Sequence, residues 1–117
     1  MSRRFWGLDK AINHWLNMMR RKRLADDEVI EKARWIWENG ILHKTAHFEA
    51  ELKNSGATMA DAEVVLFGEC RVKKAEWNDE HQRWRRTILG YDDDDCELHL
   101  AVSIDISNSV LILVTAF

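Results

Sequence analysis

At Gly68 the spacing of apolar residues along this chain changes from a helical period to an extended one. Downstream, Leu98, Leu100, Val102, Ile104 and Ile106 alternate with His99, Ala101, Ser103, Asp105 and Ser107, which gives a strand one buried and one polar face. Ser107-Asn108-Ser109 reads as a turn, and Val110 to Phe117 as a continuous apolar strand. Earlier strands are predicted at Cys70–Glu76 and Arg83–Leu89; the acidic run Asp92–Asp95 reads as a hairpin tip leading to the next strand, with a cation site as the alternative. Helices followed by strands imply an α+β fold, with N-terminal helices packed on one face of an antiparallel sheet of about four strands.

Upstream of Gly68 the pattern is helical. Leu8, Ile12, Trp15, Leu16 and Met19 share one stripe of a helix running to about Arg23. A second helix is capped by Asp26 or Asp27, buries Val29, Ile30, Ala33, Ile36 and Trp37, and stops at Gly40. A third is predicted from Leu42 to Asn54, with Phe48 and Leu52 as its apolar contacts and Asn54-Ser55-Gly56 as its stop. A fourth starts at Thr58, with Asp61 close to a capping box, and buries Met59, Ala62, Val65 and Leu66. The large apolar area of Trp15, Trp35 and Trp37 suits core or partner contact better than a cofactor site.

With 117 residues, 46% of them apolar and no proline, the chain has material for one core and no marked linker. Residues 1–42 are read as a helical extension of the same compact unit, and 43–117 as the α+β core. The absence of a long apolar run, and of an apolar segment in Met1 to Lys10, leads to an expected cytoplasmic location with no membrane partner. Cys70 and Cys96 form no CxxC pair and are read as ordinary thiols. A net charge of −3 gives no global basic field, so contact with RNA must be local.

Three stretches, His47-Phe48-Glu49-Ala50-Glu51-Leu52, Gly56-Ala57-Thr58-Met59-Ala60-Asp61-Ala62 and Val64-Val65-Leu66-Phe67-Gly68, resemble the helical half of BrnT-like and related small toxins. Trp84-Arg85-Arg86-Thr87-Ile88-Leu89-Gly90, Leu98-His99-Leu100-Ala101-Val102 and Leu113-Val114-Thr115-Ala116 resemble the sheet half. The resemblance is to the RelE/BrnT-like small toxin superfamily and covers about residues 43–117. It implies a fold similar to RelE and barnase-type ribonucleases, two helices against an antiparallel sheet whose other face cuts RNA, together with a cognate antitoxin as partner. The first 42 residues have no counterpart in it, and the family's frequent basic tail is absent after the last strand.

A ribonuclease without metal needs a base for the ribose 2′-hydroxyl, an acid for the leaving oxygen and cations around the phosphate. On the polar face of the predicted sheet, alternation collects Arg83, Arg85 and Thr87, then His99 and Ser103, then Thr115. The candidate catalytic residues are His99, or His47 through the resemblance of its helix to the family's, as acid or base, Arg83 or Arg85 on the phosphate, and Thr115. The plainer readings are a solvated His99 and an arginine cluster of Arg83, Arg85 and Arg86 that balances Asp92–Asp95. His43, His47 and Glu51 have helical spacing that could hold zinc, but a polar helix face explains them as well, and neither metal nor cofactor is expected. The basic run Arg20–Arg23 can touch phosphate or complement a helix dipole. Two functions follow. The first is a toxin-like, metal-independent endoribonuclease of a toxin–antitoxin system. The second is a non-catalytic protein-binding module on the same fold, a mobile-element or phage-type inhibitor of a host factor. The expected partners are an antitoxin or other protein, RNA, or a second copy in a homodimer.

Overall fold

A computed structural model describes residues 23–117. The helix expected over residues 8–23, with Trp15 and most of the basic run, falls outside the described residues. Those described form helix α1 (Asp26–Asn39), strand β1 (Ile41–Lys44), helices α2 (Ala46–Asn54) and α3 (Met59–Phe67), and strands β2 (Arg71–Asn78), β3 (Arg83–Tyr91), β4 (Glu97–Asp105) and β5 (Val110–Ala116). The class is α+β. The sheet has five strands in the order β1-β5-β4-β3-β2, and β1 runs parallel to β5 while the other pairs are antiparallel. No helix among the described residues is long and apolar enough to cross a membrane.

The sheet therefore differs from the expected four antiparallel strands by one short parallel strand. Residues 42–44, expected to open a helix, instead belong to a strand that pairs from Ile41 with Val110 to Lys44 with Leu113. Thr45 explains the break. Its hydroxyl accepts from Phe48 N–H at 3.1 Å to cap α2, and it also lies 3.1 and 3.0 Å from the carbonyls of Leu113 and Val114. One side chain thus ends β1, holds it to β5 and starts the next helix. The expected division at residue 42 falls inside β1.

In α1, Val29, Ala33 and Ile36 are fully buried, the spacing that lays one stripe on a sheet. Its N-cap is Ala25 rather than an aspartate, and Asp26, Asp27 and Glu28 occupy the first turn, where carboxylates complement the helix dipole. Gly40 ends it because a Cβ there would collide with the Ser109 carbonyl, so only glycine lets the chain pass the β4–β5 turn. Helix α3 opens with the Thr58/Asp61 capping box, Thr58 N–H donating to Asp61 Oδ2 at 2.8 Å. It is closed from a distance by Arg34 of α1, which donates to the carbonyls of Leu66 at 2.7 Å and Gly68 at 2.9 Å.

All three described helices share one layer. Ala33, Ile36, Phe48, Leu52, Ala62, Val65 and Leu66 meet Ile88, Leu98, Leu100, Val102, Leu111, Leu113 and Ala116 in a single core cluster. Gly90 marks a close approach of α3 to β3, since a Cβ there would come within 2.8 Å of Val65 Cγ1.

Candidate nucleic-acid interface

Strand register decides which side chains share the other sheet face. Arg85 lies opposite Glu76 of β2 and Ser103 of β4, and Ser103 lies opposite Ile112 of β5. Thr87 lies opposite Lys74 and Ala101, and Ala101 opposite Thr115. Leu89 lies opposite Arg71 and His99, and His99 exchanges backbone hydrogen bonds with Phe117. Because Ile88, Leu100 and Val102 point into the core, these residues point the other way. Among the described residues no helix packs on this face.

Four of the five expected site residues, Arg83, Arg85, His99 and Thr115, thus lie on the sheet face opposite the three described helices, together with Thr87 and Ser103. His47 does not. It is exposed on α2, in the helical layer across the sheet. His43 stands on β1 and His47 on α2, so the shared helical face that suggested zinc does not exist. Among the described residues no group of three or more metal-ligating side chains converges.

The face has a graded character along its strands. Its middle is a floor of small side chains, Thr87, Ala101 and Ser103, all buried although no described helix covers them. At one end stand Arg83 and Arg85, half-buried, and among the described residues neither forms an ion pair. Arg85 also lines an open cleft of about 300 Å³ with Glu76, Trp77, Asn78 and Asp79. At the other end His99 is largely buried, its ring centroid 4.9 Å from that of Phe117. Its Nε2 lies 3.4 Å from Glu97 Oε1, and its Nδ1 is buried without a hydrogen-bond partner.

The arginines cannot balance the acidic hairpin. Asp92 follows Arg85 by seven residues along an extended strand, roughly 23 Å, more than twice the screening length in physiological salt. Nor do they act together, since Arg86 turns to the helical side. There it is 4% exposed, its Nε and Nη2 have no hydrogen-bond partner among the described residues, and its guanidinium lies 5.8 Å from the centroid of Trp84. Burial pulls its pKa down, the nearby Arg23 adds to that, and Asp26 opposes both.

Sequence reading passed over Lys74, Tyr91, Glu97 and Phe117, which share this face. The parity that selected Arg85 and Thr115 reaches Tyr91 and Phe117 when extended to the strand ends. Comparison with protein-family models, curated proteins and solved structures finds no match for this chain.

Proposed function

We propose that the open sheet face is an RNA-contact surface, and that the chain is a toxin-like, metal-independent endoribonuclease acting through it. The observation that carries this reading is the collection of Arg83, Arg85, Thr87, Ser103, Thr115 and His99 on one face, opposite the helical layer. Arg83 and Arg85 supply bidentate donors for phosphate oxygens. The hydroxyls of Thr87, Ser103 and Thr115 supply neutral donors beside them, and the His99 imidazole supplies a proton donor or acceptor within the face. A cognate antitoxin would silence the protein by covering this surface.

One observation favours the second reading, a non-catalytic module on the same scaffold. His99 and Arg85 are four residues apart in register, about 13 Å along the strands, so phosphate anchor and proton carrier do not converge on one bond. Expression in a bacterial host separates the two. For the ribonuclease, growth arrests, RNA is degraded, and Arg85→Ala or His99→Ala suppresses both effects. Cleavage that survives those variants but is abolished by His47→Ala would move the active face to the helical side. Intact RNA and normal growth would leave the binding module.

A further inference from the structure

The end of the open face away from Arg83 and Arg85 is aromatic. Tyr91 lies opposite Glu97 and is 52% exposed, and Phe117, paired with His99 through the backbone, is 55% exposed. Both have the parity of the open face, on the two strands that flank β4. Leu89 and His99 lie between them, buried or nearly so, and the carboxylate of Glu97 stands at the rim. Large rings half in water over an apolar floor are poorly explained by folding, because burying them would contribute more to stability than holding them out. From Arg85 to Tyr91 is six residues of strand, about 20 Å, a length that a few nucleotides of extended chain would cover.

We propose that this face takes single-stranded RNA, its phosphates held by Arg83 and Arg85 and unpaired bases stacked on Tyr91 and on Phe117. This rests on the reading of the face as an RNA surface. Charge selects the occupant at the first end, where two arginines that form no ion pair among the described residues meet a polyanion. Ring chemistry selects it at the second, where a flat apolar surface suits a nucleobase of any identity. A duplex fits poorly, because its bases are already stacked inside the helix and its accessible groove displays 2′-hydroxyls and base edges rather than free base faces.

The test is fluorescence anisotropy of the full chain with a labelled single-stranded RNA octamer, its duplex, and an octamer lacking bases. The unmodified protein is compared with Tyr91→Ala/Phe117→Ala and with Arg83→Ala/Arg85→Ala. The expected result is preference for the single strand over the duplex. Removing the rings should weaken single-strand binding by about fivefold to a hundredfold per stacked base, and leave binding to the abasic strand unchanged. Removing the arginines should weaken all three probes and flatten the salt dependence by about 1.4 in slope, two phosphate contacts at 0.7 each. Equal affinity for strand and duplex, indifferent to the rings, would overturn the stacking while leaving an RNA surface. No binding of any probe would overturn that surface, and this inference with it.

Discussion

Arg86 is the residue whose replacement should raise stability. It is 4% exposed on the helical side of β3, with Nε and Nη2 unpartnered among the described residues, so folding strips its donors of water without replacing the bonds lost. Each buried donor left unsatisfied costs about 1–3 kcal/mol, and the contact with Trp84, 5.8 Å from the ring centroid, returns about 0.5–2 kcal/mol. Arg23 adds repulsion and Asp26 partly offsets it. Methionine keeps the length of the stem and removes the charge, so Arg86→Met should stabilise the fold by about 1–3 kcal/mol. At about 2.1 cal/mol/K of unfolding entropy per residue, that is a rise of roughly 4–12 °C in Tm. Calorimetry and urea unfolding of the two proteins measure it directly. A fall in Tm would refute the reasoning, and would mean that the guanidinium has a partner worth more than its desolvation.

Further outcomes follow from the helical layer. Arg34→Ala removes both donors that close α3 and should cost about 1–3 kcal/mol by urea unfolding, with Arg34→Lys recovering little because an ammonium cannot span the Leu66 and Gly68 carbonyls. Gly40→Ala forces a Cβ against the Ser109 carbonyl and should lower Tm by at least several degrees, whereas alanine at exposed Ser55 should change it little. Burial pushes the Cys70 thiol up, more than Arg34 pulls it down. The unfolded chain therefore ionises first, so this contribution is intact below about pH 8.5 and is lost as pH rises toward the folded pKa. The urea midpoint should decline less steeply above pH 8.5 in Cys70→Ala, and iodoacetamide should modify exposed Cys96 before Cys70, as peptide mass analysis would show.

Most of the architecture could be read from the chain because its signals are local. Alternation from Leu98 onward marked the central strand, and Thr58 with Asp61 and Gly68 bracketed α3, since caps and periods act within a few residues. The parallel strand β1 could not be read so. Four residues, Ile-Leu-His-Lys, carry no period of their own and become a strand only through pairing with β5, almost seventy residues later. Arg86 illustrates a similar limit. Basic neighbours on a strand resemble one patch, yet the pleat sends Arg85 to one face and Arg86 to the other. For the candidate site, parity alone gathered Arg83, Arg85, His99 and Thr115. His47 lay beyond that logic, because its place depends on where the cap at Thr45 ends the strand.

The central claim is that RNA meets the open sheet face, and backbone amide shifts of isotopically labelled full-length chain during titration with a single-stranded RNA octamer test it most directly. The account predicts that Arg83, Arg85, Thr87, Ala101, Ser103 and Thr115 shift together while Ala33, Leu52 and Val65, on the core side of the three helices, stay fixed. Shifts confined to α1, α2 and α3, or none at saturating RNA, would contradict it.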